Sequence, residues 1–166
     1  KDLRALTYMG KTRDVTTPML GGVLGSNRAH IDYAIDQVMQ GETRKVGMIG
    51  LSFKKGTDDL RESPLVSVAE RLIGKGYELK LYDKNVNLAA LTGANRDFIL
   101  NHIPHISRLM VSAIDEVLEF AETLVIGNGA PEFKAALAAL RPGQVVVDYV
   151  RVSDAISGAG YDGICW

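Results

Sequence analysis

Three consecutive segments decide the fold of this chain: Val46-Gly-Met-Ile-Gly-Leu51, then Ser52-Phe-Lys-Lys-Gly-Thr-Asp-Asp-Leu-Arg-Glu-Ser63, then Pro64-Leu-Val-Ser-Val-Ala-Glu-Arg-Leu-Ile73. The first is a short apolar run, typical of a buried strand, and the last repeats apolar residues at helical spacing. The stretch between them, residues 52–63, is a loop at the carboxyl end of a strand, and half of it is charged. Ligands of open α/β sheets bind at that end of the strands. We therefore expect a ligand site at this loop, called here the charged loop.

Strands and helices alternate along the rest of the chain. Apolar runs predict further strands at 78–82, 124–126 and 145–148, and a short one at 108–111. Helical spacing predicts helices at 86–100 (broken near Gly93), 112–122 and 131–140. Such alternation implies parallel pairing through right-handed crossovers. The sequence therefore predicts an α/β fold with a Rossmann-like parallel-sheet domain over residues 44–166.

A helical arm precedes this domain. Apolar residues three apart indicate a helix over 1–9, and Thr17-Pro18 is a favourable start for a second helix over 18–40. Residues 1–41 are too thin to bury a core of their own, so we interpret them as an arm.

Three glycines lie in the second arm helix. Gly21, Gly22 and Gly25 each weaken a helix by about 1 kcal/mol relative to alanine. Two interpretations stay open: close approach of another backbone, or a poor helix that breaks early near Gly25.

Composition limits the possible functions. The chain has 166 residues, 46% hydrophobic and 23% charged, with a net charge of −1. Binders of nucleic acid or of membrane surfaces usually carry a basic excess, and no apolar run approaches the roughly 20 residues of a membrane span. We expect neither partner, and no metal site.

The single cysteine, Cys165, excludes an internal disulfide and fits a reducing, cytoplasmic compartment. The chain begins at Lys1 without a methionine, and we expect it to be part of something longer.

The first strand-to-helix turn lacks the usual dinucleotide fingerprint. Gly47-Met-Ile-Gly50-Leu-Ser-Phe53 does not match G-x-G-x-x-G. Asp83 ends the second strand, where a Rossmann fold places a ribose-binding acid, but an aspartate there is more often a turn or cap residue. We expect a domain that does not bind a whole dinucleotide in the usual way.

The charged loop itself allows two interpretations. Lys54 and Lys55 could neutralise phosphates, Arg61 could hold one with two parallel hydrogen bonds, and Ser63 caps the following helix. The acidic residues of the loop offset these cations, so a solvated, salt-bridged surface loop is equally compatible with composition.

A stretch that overlaps the charged loop resembles a known signature. Phe53-Lys-Lys-Gly-Thr-Asp-Asp-Leu-Arg-Glu-Ser-Pro64 fills every fixed position of F-K-x-x-T-D-D-x-R-E-S-P, in order. This pattern is the signature of the nucleotide-sugar 6-dehydrogenases, which include UDP-glucose and GDP-mannose dehydrogenases. Residues 44–54, 74–79 and the ending Gly163-Ile-Cys-Trp166 are most similar to the GDP-mannose branch. The resemblance covers essentially the whole chain, but only the C-terminal part of such an enzyme.

The resemblance implies a fold and partners. Members of this family have an N-terminal NAD-binding domain, a long central helix and a C-terminal Rossmann-like domain that holds the nucleotide of the substrate. Residues 18–40 would then be the central helix, through which the family forms homodimers, and 44–166 the C-terminal domain. The implied partners are GDP-mannose or GDP-mannuronate, NAD, and the N-terminal domain of the same protein.

The resemblance also implies a reaction and residue roles. The family oxidises the sugar C6 alcohol to a carboxylate in two NAD-dependent steps, through a thiohemiacetal and a thioester on a cysteine. That cysteine precedes the lysine-aspartate pair of a C-x-P-K-D segment, and Cys165 does not replace it. By resemblance, Lys1 contacts NAD, and Asp2 assists the cysteine and the hydrolytic water. Lys54 binds the substrate near its sugar and phosphates, and Arg61 reaches NAD across the domain cleft.

Three hypotheses follow. The first is the C-terminal part of a GDP-mannose 6-dehydrogenase that supplies an alginate-type polysaccharide and is inactive in isolation, because the thiol is absent. The second is the same part of a UDP-sugar dehydrogenase, since the signature does not choose the base. The third is a non-catalytic module that binds a nucleotide or mediates assembly.

Overall fold

The fold was analysed in a computed structural model, which describes residues 2–53, 56–86, 94–153 and 160–164. The helices in these ranges are α1 (Asp2–Thr12), α2 (Pro18–Met39), α3 (Pro64–Gly74), α4 (Ala94–His102), α5 (Pro104–Ser107), α6 (Ile114–Phe120) and α7 (Pro131–Ala136). The strands are β1 (Lys45–Ile49), β2 (Glu78–Tyr82), β3 (Thr123–Ile126), β4 (Val145–Asp148) and β5 (Tyr161–Gly163). The predicted alternation of strands and helices is confirmed.

The five strands form one parallel sheet in the order β2-β1-β3-β4-β5. The strand predicted at 108–111 is reduced to a single parallel bridge between Met110 and Leu81, outside β2. With this bridge as a third strand, the order along the sheet is that of the Rossmann fold, 3-2-1-4-5-6. The predicted Rossmann-like α/β fold is therefore confirmed.

The sheet is buried on both faces, as a parallel sheet must be. Val46 and Met48 of β1 face one core cluster, which α3, α4, α5 and the end of α2 cover. Ile49 faces the other cluster, which α6 and α7 cover. This two-sided burial explains why the strands read as nearly continuous apolar runs.

The arm forms two helices, and the second is continuous. α2 runs unbroken through Gly25 to Met39, so the interpretation of a poor helix that breaks near Gly25 was wrong. Outside the backbone of α2 itself, a Cβ added at Gly21, Gly22 or Gly25 would meet no atom of the described residues within 4 Å, so no other described segment packs closely against these glycines.

The end of the arm is built into the domain. Ala34, Ile35 and Val38 of α2 belong to the first core cluster. The hydroxyl of Tyr149, after β4, donates a buried hydrogen bond of 2.7 Å to the carbonyl of Ala34. Burial raises the pKa of this phenol. The last turns of α2 are thereby fixed to the sheet.

Several predicted boundaries shift. α6 begins at Ile114, not at 112, because Glu116 reaches back to the Ala113 amide and the Ser112 hydroxyl and caps the helix there. The helix predicted at 131–140 is α-helical only to Ala136 and continues as a 3₁₀ turn. Residues 87–93, where a helix broken near Gly93 was predicted, lie outside the described residues.

Candidate functional site

The candidate site lies at the carboxyl ends of β1 and β3. Chain connections leave these two adjacent strands in opposite directions, β1 toward β2 and β3 toward β4. Such a switch point opens a crevice at the carboxyl edge of the sheet. The charged loop leaves β1 at this point, and residues 127–130 leave β3 beside it.

Two glycines permit a close contact at this edge. The backbone of Gly50 has φ +85, a left-handed conformation that favours glycine. A Cβ on Gly127 would lie 2.3 Å from the Gly50 carbonyl oxygen and 2.7 Å from a methyl group of Leu65. Because neither glycine has a side chain, the end of β3 can lie directly against the end of β1 and the start of α3.

A buried polar network holds the start of the charged loop. One carboxylate oxygen of Asp83 accepts from the backbone N–H of Leu51 (2.8 Å) and of Ser52 (3.0 Å), and from the Ser52 hydroxyl (3.0 Å). On the other side, the side-chain amide of Asn128 donates to the carbonyl and hydroxyl oxygens of Ser52, at 3.2 and 3.3 Å. All three side chains are buried. The network joins the carboxyl ends of β2, β1 and β3.

Two further contacts hold the end of the charged loop. The Ser63 hydroxyl donates to the Leu51 carbonyl at 2.6 Å and accepts from the Leu65 N–H at 3.3 Å. The predicted capping role of Ser63 on α3 is confirmed. Leu60 is buried in the first core cluster. The two ends of the loop are therefore joined to each other at the sheet.

Two charged side chains late in the loop, Arg61 and Glu62, are exposed. Nε and Nη2 of Arg61 donate to the two carboxylate oxygens of Asp59, each at 2.7 Å. The hydrogen bond to Asp59, and the charge of that carboxylate, raise the pKa of Arg61 above its ordinary value. Phe53, near the start of the loop, exposes 68% of its surface.

The loop also contacts the arm. Nη1 of Arg4, on α1, donates to a carboxylate oxygen of Glu62 at 2.5 Å. Asp2, in the first turn of α1, is exposed. The structure thus brings the start of α1 and the charged loop, predicted to carry Asp2 and Arg61, to one region.

The other predicted site residues fall elsewhere. Lys1, Lys54, Lys55 and Cys165 lie outside the described residues. Within the described part of the chain, no three histidine, cysteine, aspartate or glutamate side chains come together as metal ligands. No helix in that part is long and apolar enough to cross a membrane.

Asp83 is a turn residue, as the more frequent pattern predicts. Its second carboxylate oxygen accepts from the Asn85 N–H at 3.0 Å, so both oxygens are used to shape turns. The sequence places Asn128 in a turn and does not predict its hydrogen bonds to Ser52. Its position directly after a buried strand, next to the strand that feeds the charged loop, was the available signal.

A second buried acid lies one strand further along the edge. Asp148 accepts from the N–H groups of Val150 and Val152, at 2.9 and 2.8 Å, and from the Tyr161 hydroxyl at 2.5 Å. Burial, then the hydrogen bond to Asp148 and the charge of that acid, raise the pKa of Tyr161. This cluster fixes β5 to β4.

Tyr82 shows a related effect at the end of β2. Burial, and then the charges of Glu132 and Asp83, raise its pKa above the ordinary value. The buried acids Asp83 and Asp148 therefore make the buried part of this edge acidic, while the cation Arg61 lies exposed on the charged loop.

A parallel sheet in the Rossmann order, with a charged loop fixed at its switch point, places the chain in the class of Rossmann-like open α/β domains, whose ligands bind at this edge of the sheet. The family model described as "UDP-glucose/GDP-mannose dehydrogenase family, UDP binding domain" matches residues 47–155. The chain belongs to the UDP-glucose/GDP-mannose dehydrogenase family, and the resemblance seen in the charged loop is confirmed.

Relatives match along the whole chain. It is 49% identical to a GDP-mannose 6-dehydrogenase of Pseudomonas aeruginosa and 41% identical to one of Azotobacter vinelandii, each over 166 residues. A crystal structure of a ternary complex of GDP-mannose dehydrogenase from Pseudomonas aeruginosa superposes on 99% of the chain with a TM-score of 0.91 and 48% identity. A UDP-glucose dehydrogenase from Pyrobaculum islandicum also covers 99% of it, with a TM-score of 0.74 and 26% identity.

The chain is much shorter than these relatives. It spans 38% of the length of both GDP-mannose 6-dehydrogenases and of the Pseudomonas structure, and 36% of the Pyrobaculum structure. The activity of a matched relative belongs to its whole length, of which this chain corresponds to little more than a third.

Proposed function

We propose that this chain is the nucleotide-sugar-binding part of a cytoplasmic, NAD-dependent GDP-mannose 6-dehydrogenase, which makes GDP-mannuronate for an alginate-type polysaccharide. The observation that carries the proposal is the charged loop. It has the complete family signature, both of its ends are bound to the sheet, and Arg61 and Glu62 of its described part are exposed. The 49% identity to a GDP-mannose 6-dehydrogenase, over the whole chain, supports GDP-mannose over a UDP-sugar.

The residues of the loop and of α1 fit the partners that this reaction needs. Arg61 carries an exposed, planar guanidinium, which suits a diphosphate, and we assign it to NAD with Lys1. Lys54 is assigned to the sugar nucleotide, near its phosphates. When bound, NAD accepts hydride from the sugar carbon. Asp2 assists a cysteine, supplied by another part of the protein, and the hydrolytic water.

Binding to the chain itself tests the choice of nucleotide. Isothermal titration with GDP and with UDP should show a preference for GDP, which the Lys54→Ala variant weakens. Lys75→Ala is the matched control, because Lys75 follows α3 at the opposite edge of the sheet. A preference for UDP would overturn the assignment of the base in favour of a UDP-sugar dehydrogenase.

Activity of the longer protein tests the reaction. Encoded with its upstream sequence, the protein should reduce two NAD per GDP-mannose, and the chain alone should reduce none. If the longer protein binds GDP but reduces no NAD, the non-catalytic module is the better description. If the chain alone reduces NAD with GDP-mannose, the nucleophile is misassigned.

We also propose that α2 pairs with a second copy of the chain and that the N-terminal domain of the same protein covers the charged loop. Met19 and Val23, on α2, are 78% and 40% exposed, and the neighbouring glycines leave open space. The Val23→Glu variant should shift the sedimentation of the chain from dimer to monomer. Leu100→Glu, at an exposed apolar position on α4, should not, and equal effects of the two would argue against this interface.

A further inference from the structure

The contact between Arg4 and Glu62 joins two segments that the sequence separates widely. The two residues are 58 positions apart, and their side chains are 65% and 44% exposed. The contact connects the first turn of α1 with the turn of the charged loop. Because the ends of the loop are already fixed at the sheet, this pair acts on its outer part.

The backbone of Glu62 is an independent sign that its side chain matters. Its φ is +59, in the left-handed region that glycine adopts without strain. Strained non-glycine residues of this kind concentrate at functional sites. The conformation turns the chain between Arg61, which faces Asp59, and Glu62, which faces α1.

We propose that Arg4 and Glu62 are a positioning pair, which holds the start of α1 against the charged loop so that Asp2 and Arg61 act in one site. The inference rests on the proposed function. Arg4 follows Asp2 by two residues, about 3 Å along a helix axis, and Glu62 directly follows Arg61. A shift of this contact therefore moves both assigned residues relative to each other.

Exposure makes the proposal separable from a role in folding. Exposed ion pairs contribute little to stability, because solvent screens them and two long side chains lose rotamer freedom. Geometry at a reacting centre is far more sensitive, and a displacement of about 1 Å can lower a rate 100-fold. Substitutions of this pair should therefore change activity much more than they change the unfolding midpoint.

Amide exchange in the chain tests the contact without any activity. The N–H of Arg61 is bonded to Asp59 and that of Ser63 to the Leu60 carbonyl. In Arg4→Gln and Glu62→Gln, both should exchange about two- to fivefold faster, the range that an exposed ion pair implies. Lys11→Gln, at the other end of α1, is the control. Unchanged exchange in both variants would overturn the pairing.

Kinetics of the longer protein test the positioning role. Arg4→Gln and Glu62→Gln should each lower kcat/KM for NAD about tenfold, with an unchanged unfolding midpoint, and Arg4→Glu combined with Glu62→Arg should restore most of it. Glu62→Gly relieves the backbone strain but removes the carboxylate, so it should be as impaired as Glu62→Gln. A fully active Glu62→Gly, or no recovery in the double variant, would refute the proposal.

Inactivity of the unsubstituted protein would refute the proposed function instead, while the exchange result would still decide the contact.

Discussion

Replacing Asp83 by alanine removes the acceptor on which the start of the charged loop depends. One oxygen of this buried carboxylate binds the N–H groups of Leu51 and Ser52 and the Ser52 hydroxyl at 2.8–3.0 Å. The Asn128 amide donates to that hydroxyl, so it supplies no acceptor for the hydroxyl proton. The two backbone N–H groups cannot turn toward other acceptors either, because the strand before them is fixed.

The expected magnitude follows from these bonds. A hydrogen bond to a charged group contributes about 1.5–3 kcal/mol, and a buried donor left without a partner costs about 1–3 kcal/mol. Because these contributions overlap, we expect Asp83→Ala to lower the free energy of unfolding by about 3–4 kcal/mol. That is a large share of the total of about 5–15 kcal/mol for a domain.

Urea unfolding followed by circular dichroism measures this loss. With a slope of about 2 kcal/mol per M, the midpoint of Asp83→Ala should fall by about 1.5–2 M. Asp83→Asn, which keeps one oxygen but adds an amide among donors, should lose roughly half as much. Asp36→Ala, at an exposed position of α2, should stay within about 0.5 kcal/mol. A loss below about 1 kcal/mol for Asp83→Ala would show that the network does not hold the loop, and the reasoning would fail.

Three further outcomes are expected. Tyr149→Phe should lower the free energy of unfolding by about 1 kcal/mol in the same assay, since it removes only the bond to the Ala34 carbonyl. Gly127→Ala should cost about 2–3 kcal/mol, because its Cβ would lie 2.3 Å from the Gly50 oxygen; Gly129→Ala, where a Cβ meets no atom within 4 Å, should be nearly neutral. The pKa values of Tyr149 and Tyr161 are raised by burial above the ordinary 10.0, so the folded state holds their protons longer than the unfolded chain does. Stability should be intact below pH 10 and fall as pH rises beyond it, and a double variant to phenylalanine should flatten that fall in unfolding curves measured at several alkaline pH values.

Local chemistry explains which parts of the fold could be predicted. The strand, loop and helix around residues 46–73 were read correctly, because an apolar run, a serine cap and helical spacing are all short-range signals. β5 was not predicted, since Tyr161, Asp162 and Gly163 include two residues that are poor strand formers. They form a strand only because β4 offers them an open edge, which is a property of the tertiary structure.

The glycines of α2 left two interpretations open. Their low helix propensity allows a break near Gly25, yet the helix predicted over 18–40 is continuous. Its last turns gain stability from buried Ile35 and Val38, and a favourable start at Pro18 fixes the other end. Tertiary burial of this size exceeds the roughly 1 kcal/mol that each glycine costs.

The candidate site was predicted where its residues are neighbours in sequence and missed where they are not. Ser63 and Arg61 belong to one local signature; the cap at Ser63 is confirmed, and the role of Arg61 stays a prediction. Asn128 reaches Ser52 across 76 positions, and Arg4 reaches Glu62 across 58. No spacing rule relates such pairs, because the sheet order alone brings them together.

The positions of the described residues of the charged loop bear on the choice between a binding loop and a plain surface loop. A solvated, salt-bridged loop needs only its exposed pairs, such as Arg61 with Asp59, and would tolerate any polar residue at its ends. Here the uncharged residues Ser52, Leu60 and Ser63 are buried and bonded or packed, and they hold the backbone beside Arg61 and Glu62 at the edge of the sheet. Fixing the backbone of charged residues loses entropy and gains nothing for solubility, whereas it lowers the ordering cost of binding an anionic ligand. The buried half of the loop therefore argues for ligand binding more strongly than its charges do.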